Sequence, residues 1–342
     1  MPPDLTVVLC SLNGAGRIAT TLAALREQTV ADRIEVLVVD DGSTDGTGGV
    51  AAEWGVRVLR REVNGGLSAA RNTGTAQAHA PIVAFIDDDC RPAPGWAEAL
   101  LSGHGPGVIG VSGPVVPVGA QTFLAGFVVR SNRHQPLELN LAAGQGLLYR
   151  LGLYLRRQWL PLPDGRRDIY CPTGGNMSFT RAALTAVGGF DPDFRFGSEE
   201  EDMVRRMRRD HPGRIVFLPE APVEHRLEPD LRALLRRSVA YGRGNARQYR
   251  KWPSVNPTLF PWPFLVAATA AAAVLWPPAL LVAAVLPLVL YPDGLHNLTR
   301  HRVLAALADP YLRLLQEAFE NIGFIRGAIA HRGIAGESEA VR

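Results

Sequence analysis

Three consecutive carboxylates, Asp87, Asp88 and Asp89, close the apolar run IVAFIDDDC at 82–90. Each raises its neighbours' proton affinity, so such a cluster stays ionised most easily when a cation sits among its oxygens. Oxygen ligands suit Mg2+ or Mn2+, and these ions hold phosphates; the run therefore reads as a site for a metal-bound diphosphate. A second acidic run, Glu199, Glu200, Glu201 and Asp202, opens an arginine-rich segment. It supplies candidate general bases, because a carboxylate within hydrogen-bond reach can take the proton of an attacking hydroxyl. The same run also suits the first turn of a helix, where acids complement the helix dipole and Ser198 can act as N-cap.

Alternating strands and helices must position these groups. An apolar, β-branched run without alternation, ending in the aspartates, is expected to be a central parallel strand, and open α/β sheets bind ligands at the carboxyl ends of such strands. Strands are expected at 5–10, 35–40 and 56–59, with Ile18, Leu22 and Leu25 at helical spacing after the first. The second strand ends in the turn cluster at 40–45, and Asn64, Gly65 and Gly66 break the chain before a helix carrying Arg71 and Asn72. Such alternation gives a parallel sheet with right-handed crossovers. Farther on, Gly174, Gly175 and Asn176 suggest a turn with positive φ or a close backbone approach, and Gly188 and Gly189 suggest the end of a helix at 182–187. The GxGxxA pattern at 14–19 imitates a dinucleotide fingerprint, yet Ser11, Leu12 and Asn13 separate the strand from its first glycine. Three aspartates would also repel a pyrophosphate lacking a metal, which argues against a nicotinamide-dependent Rossmann oxidoreductase.

In order along the chain, TVVLCSLN, VVDDGSTDGT, NGGLSAARNTG, FIDDDC, TGGNMSFTRAALTAVGGFDPDF and GSEEEDMVRRMRR resemble family 2 glycosyltransferases over roughly 5–245. The resemblance implies an α/β fold of the GT-A type, with a Rossmann-like mixed, mainly parallel sheet. It implies an inverting transferase that moves a sugar from a nucleoside diphosphate sugar donor to an acceptor hydroxyl with Mg2+ or Mn2+. By matching positions, Asp41 would bond the base, Asp87 or Asp88 the ribose side, and Asp89 the metal, with His225 of PVEHRL near the metal or diphosphate. Asn13, Arg71 and Asn72 would lie on the donor side; Asp202 would be the general base, and Glu201 would orient the sugar or the base. The QxxRW signature of processive polysaccharide synthases is missing, which argues against processive polymerisation.

The expected organisation is a nucleotide-sugar half at 1–110, an acceptor half carrying the base at 111–250, a C-terminal hydrophobic helical hairpin at 251–292 and an amphipathic tail at 293–342. No charged residue occurs between Lys251 and Asp293, and basic residues flank the block on both sides, so a membrane hairpin with both ends cytoplasmic is expected. Its two apolar blocks, 259–276 and 278–291, meet at Trp276, Pro277 and Pro278. Arg205, Arg206, Arg208 and Arg209, with Arg232, Arg236 and Arg237, could face anionic lipid or solvent. A glycan or lipid-linked acceptor at the cytoplasmic face of the cell membrane follows as the expectation. The net charge of +3 gives no ground for a nucleic-acid partner. Three cysteines without CxxC spacing suggest neither a disulfide framework nor a zinc site. The N-terminus lacks the basic and apolar pattern of a signal peptide. A sugar-phosphate nucleotidyltransferase would share the sheet and the metal but needs a glycine-rich basic loop after the first strand, where Arg17 is the only charge. A sugar-binding scaffold without a base would share the fold alone.

Overall fold

A computed structural model describes residues 2–119, 122–131, 136–139, 165–226, 230–334 and 336–337. β1 (Leu5–Ser11), α1 (Ile18–Arg26), β2 (Ile34–Asp40), α2 (Thr47–Glu53), β3 (Arg57–Arg60), α3 (Leu67–Gln77) and β4 (Ile82–Asp87) form the expected alternation. The strands β3, β2, β1 and β4 are parallel neighbours. Their register sets Cys10 beside Asp87 and Ser11 beside Asp40, so three strands deliver their carboxyl ends to one level. Alternate side chains go to opposite faces. Val7 and Leu9 pack with Leu22 and Leu25 of α1, while Val8 joins Leu37, Val39 and Phe85 on the other face.

Beyond β4 come β5 (Cys90–Pro92), α4 (Trp96–Gly103), β6 (Val108–Ser112), β7 (Val115–Val118), α5 (Phe123–Ser131), β8 (Arg167–Asp168) and β9 (Asn176–Thr180). The chain continues through α6 (Arg181–Ala186), α7 (Glu199–Asp210), β10 (Arg214–Phe217), β11 (Val223–Arg226) and α8 (Leu231–Lys251). β9 inserts antiparallel between β4 and β6, giving an eight-stranded sheet of order β3-β2-β1-β4-β9-β6-β10-β8. The division expected at residue 110 falls within β6, so the two halves share one sheet. A second sheet, β5-β11-β7, pairs His225 with Cys90 and lies beside the aspartates.

The C-terminal part holds α9 (Pro261–Ala271), α10 (Ala279–Leu290), α11 (Asp293–His301) and α12 (Asp309–Ala330). The tail expected at 293–342 is no loose strap, because α12 lies along α8 at backbone distance. A Cβ on Gly242 would stand 2.1 Å from the Glu320 carbonyl oxygen. α9 and α10 pack against each other as a pair, but among the described residues no single helix is long and apolar enough to cross a membrane. The arginines after the acidic run, all half-buried, are bonded within the fold. Arg205 and Arg206 pair with Glu201 and Asp202, Arg208 donates to the Ile169 and Tyr170 carbonyls, and Arg209 pairs with Asp210 and Glu337.

Candidate active site

The DDD run does not deliver three equivalent carboxylates. β4 ends at Asp87, the chain turns, and β5 starts at Cys90. Asp87 and Asp89 line a cavity of about 540 Å3 beyond the carboxyl ends of the sheet. Asp88 touches the same cavity, but its carboxylate is buried in the wall. Ser11 Oγ donates to it at very short range, and Arg17 donates from Nε and Nη2 at 2.6 and 3.0 Å. Of the two residues expected at the ribose side, Asp87 is the one with an open carboxylate, its side chain 38% exposed against 7% for Asp88.

β5 and β11 explain how His225 reaches this point from far along the chain. Their antiparallel register sets His225 opposite Cys90, and the Arg226 amide donates to the Asp89 carbonyl at 3.0 Å. His225 Nε2 then lies 3.1 Å from Asp89 Oδ1. Burial pushes the Asp89 carboxyl up, but the bond and charge of His225 outweigh it and bring Asp89 below its ordinary value. Burial likewise pushes His225 down, and Asp89 outweighs that, raising it. Ligand atoms of Asp89, Cys90 and His225 all lie within 4.8 Å of one another. Burial, reinforced by Asp87 and Asp89, holds the Cys90 thiol well above its ordinary value, so a thiolate ligand is disfavoured there. A carboxylate with an imidazole, and Asp87 close by, fits a divalent ion of the Mg2+ or Mn2+ type better than a thiolate-bound zinc. Cys10 and Cys171 are also free thiols, and burial first of all pushes Cys10 up to about 12.

The acidic helix α7 changes the assignment of the base. Its first two residues, Glu199 and Glu200, line the cavity, whereas neither Glu201 nor Asp202 is among the lining residues. Asp202 is fully buried and saturated. It accepts from Lys251 Nζ, Arg206 Nε and Trp252 Nε1, each at 2.9 Å. It lies off the cavity, and its three partners tie α7 to the end of α8. Burial alone would lower the Lys251 pKa, but Asp202 and Asp191 raise it overall, as expected of a paired internal ammonium. Glu201 accepts from Arg205 one turn on, at 2.8 Å. Glu200 has the properties the sequence reading gave to Asp202. Burial, then the neighbouring charge of Glu199, pushes its carboxyl up to about 8, and its Oε2 is buried without a hydrogen-bond partner among the described residues. Ser198 does not cap α7: its φ is +65°, and its hydroxyl donates to Asn245 Oδ1 instead.

Arg71 joins the two acidic groups from within. Its guanidinium is 2% exposed, donates to Glu199 Oε1 at 2.9 Å and to the Gly174 carbonyl at 2.9 Å, and lies 3.7 Å from Asp87. The rings of Phe85 and Phe190 stand 5.9 and 5.4 Å from it, so a rigid cation fixes the spacing between Asp87 and α7. Gly175 is needed for close approach rather than positive φ, since a Cβ there would stand 3.0 Å from Asp87 Oδ2. Asp41 lines the cavity and binds the backbone amides of Gly65 and Gly66 together with Arg61, which shapes the Asn64–Gly66 turn as a rim. Arg237 and Tyr241 of α8 also line it, and of these Arg237 is one the sequence left open to lipid or solvent.

Two residues expected on the donor side, Asn13 and Asn72, are not among the residues lining the cavity. Both ends of the Asn72 amide are used by Phe190, whose carbonyl accepts at 2.7 Å and whose amide donates at 2.8 Å. Asn13 sits at φ +51° and accepts from the Thr44 amide, fastening the loop after β1 to the loop after β2. That loop also excludes a dinucleotide reading: a Cβ on Gly14 would collide with Asp88 and Ser11, so the backbone packs on a carboxylate where a pyrophosphate would lie. Larger cavities of about 980 and 840 Å3 flank the site. The first is lined by arginines and apolar residues, many of them on α8, with Asp193 the only acid among the described lining residues, and the second shares Arg17, Asp89, Cys90, Arg237 and Tyr241 with the site. The paired acid groups meet in the smaller cavity, and the chemistry is placed there.

Two family models match the chain, Glycosyl transferase family 2 at residues 6–147 and Glycosyl transferase family group 2 at residues 153–305. The pre-mycofactocin glycosyltransferase of Mycobacterium tuberculosis is 32% identical over 248 residues, 70% of this chain and 46% of that protein. Validoxylamine A glucosyltransferase of Streptomyces hygroscopicus subsp. jinggangensis is 28% identical over 281 residues, 75% of this chain and 63% of that protein. The chain thus spans about half the length of the first relative and under two thirds of the second. The fold is shared with a mannosyltransferase, PcManGT of Pyrobaculum calidifontis, solved with GDP-Man and Mn2+, at a TM-score of 0.60 and 22% identity over 94% of this chain and 88% of that one. With the mainly parallel sheet and the acidic cavity at its carboxyl edge, these matches place the chain in glycosyl transferase family 2, a family of sugar-transferring enzymes.

Proposed function

We propose that the protein is an inverting glycosyltransferase that moves a sugar from a nucleoside diphosphate sugar to an acceptor hydroxyl, with a divalent cation. The observation that carries this reading is the pairing of two acid groups on one cavity, Asp87 and Asp89 at the sheet edge and Glu200 on α7, held apart by the buried Arg71 guanidinium. Asp89 and His225, with Asp87, would hold Mg2+ or Mn2+. The ion would supply positive charge to the leaving diphosphate, which accumulates negative charge as the glycosidic bond breaks. The complex of PcManGT with GDP-Man and Mn2+ supports this assignment.

Glu200 would accept the acceptor hydroxyl's proton as its oxygen bonds the anomeric carbon, and the nucleoside diphosphate would leave with the electron pair. The raised pKa of Glu200 gives it proton affinity matched to that task. Asp41 and the Asn64–Gly66 rim would meet the nucleoside. The acceptor would be a glycan or a lipid-linked hydroxyl. Thermal unfolding with a panel of nucleoside diphosphates and Mn2+ tests the donor side: a matching ligand at 100 times its Kd should stabilise by about 2.7 kcal/mol. A panel in which none shifts the transition, or in which the shift survives a chelator, refutes the reading.

A further inference from the structure

The surroundings of the α9–α10 pair are unlike those of any other part of the fold. No residue of α9 is buried, and its sequence, PWPFLVAATAA, has no charged residue. α10 buries only the stripe Ala279, Ala283 and Pro287, leaving Leu280, Leu281, Val282, Val285 and Val289 exposed. At the turn between them Val274 and Leu275 are 89% and 91% exposed. A protein partner covers one face of a helix, whereas a helix apolar round its whole circumference is stable only in an apolar surrounding. Exposed apolar surface of this kind marks an interaction site rather than a resting surface.

The turn between the two helices is tight. Leu275 and Trp276 donate their amides to the Ala272 carbonyl, Pro277 and Pro278 have no amide proton, and Ala279, Leu280, Leu281 and Val282 donate to Trp276, Pro277 and Pro278. Every backbone donor from Leu275 to Val282 is therefore bonded or absent.

Length and anchoring fix the depth. At 1.5 Å per residue in α9 and α10, and about 2 Å in the 3-10 turn that carries α9 on to Val274, the two arms are about 22 and 18 Å long, short of a hydrocarbon core about 30 Å thick. Both feet stand on one turn of α12. The Phe260 amide donates to Asn321 Oδ1 and Asn321 Nδ2 donates to the Phe260 carbonyl, each at 2.9 Å, while Tyr291 Oη donates to Glu317 Oε2 at 2.6 Å. The chain so enters and leaves on the same side. Continuing α10 into Gly294–His301 would require passing a 56° bend, and that segment carries Arg300 and two histidines. Its Asn297 is buried beside Asp309, so it stays with the domain.

We infer that α9 and α10 insert as a re-entrant hairpin into one leaflet of a lipid bilayer, with Val274, Leu275 and Trp276 deep in the acyl region and no crossing. Arg300 and Arg302, both exposed after the hairpin, set positive charge beside the insertion, as anionic headgroups favour. The inference stands apart from the proposed chemistry, because it concerns a surface outside the catalytic cavity.

The test uses the full chain with phosphatidylcholine vesicles containing phosphatidylglycerol. The protein should co-sediment with them, and the double variant Val274→Asp plus Leu275→Asp should lose partitioning by roughly a hundredfold or more, given what an aspartate costs in hydrocarbon. Both side chains are almost wholly exposed, so the variant should keep its circular dichroism and Tm. Depth is read with brominated lipids, as the difference between wild type and Trp276→Phe: bromine deep in the acyl chain should quench Trp276 more than bromine near the headgroup. Protein that remains in the supernatant overturns the inference. So does shallow quenching, which means surface contact or a full crossing, and so does a concentration-dependent dimer that the double aspartate dissolves, which gives the surface to a second copy.

Discussion

Replacing Glu200 with Gln, beside Asp202 with Asn, separates catalysis from architecture. Burial and the charge of Glu199 push Glu200 up to about 8 from the ordinary 4.5, so the protonated form is favoured in the ligand-free enzyme near neutral pH. Wild-type kcat/KM should therefore rise with pH along an acidic limb between these values, nearer the lower one as a bound cation stabilises the carboxylate. Glu200→Gln keeps the shape, removes the base, and should lower kcat by about 10² to 10⁴ while flattening that limb and leaving donor affinity nearly unchanged. Asp202→Asn should do the reverse. Removing one partner of a buried ion pair costs about 3–5 kcal/mol when the other is left uncompensated; here Arg206 loses its carboxylate, while Lys251 keeps Asp191, so the cost should lie toward the lower end. Its Tm should fall by several degrees, with kcat per folded molecule within a few-fold of wild type. Steady-state transfer kinetics across pH, together with thermal unfolding, decide the matter. If Asp202→Asn loses turnover at unchanged Tm while Glu200→Gln keeps the acidic limb, the roles drawn from burial are reversed.

Asp89→Ala should abolish Mn2+-dependent binding of a nucleoside diphosphate in calorimetry, while the apo fold survives, because Asp89 borders the cavity rather than the core; unchanged binding would remove Asp89 and His225 as ligands. His104, whose Nε2 lies 2.9 Å from Ser178 Oγ, is held by burial down to about 4 from 6.5. The unfolded chain then takes the proton first, so stability present above pH 6.5 should fall as pH drops toward 4, by about 3 kcal/mol in all, and His104→Gln should remove that slope in urea titrations. Gly242→Val should cost several kcal/mol, since its Cβ would stand 2.1 Å from the Glu320 carbonyl; a Tm within a degree or two of wild type would contradict the close packing of α12 on α8.

The sequence by itself determined the local chemistry of the elements. Apolar runs at β1, β2 and β4, with turn residues after each, gave the parallel alternation and put aspartates at a strand end, because strand burial and turn formation act over a few residues. The uncharged stretch between Lys251 and Asp293 was legible for the same reason. The tertiary structure decided which way each side chain faces and what covers it. Asp87 and Asp89 open to the cavity while Asp88 turns to Ser11 and Arg17, partners more than 70 residues away in the chain. His225 reaches Asp89 only because β11 pairs with β5, and β9 was not visible because a five-residue strand after a glycine turn has no period of its own. On α7, Glu200 and Asp202 lie about 200° apart round the helix axis at 100° per residue. The run of acids is symmetric in composition, so only the packing of Lys251, Arg206 and Trp252 on one side of that helix made Asp202 an anchor and left Glu200 to the cavity.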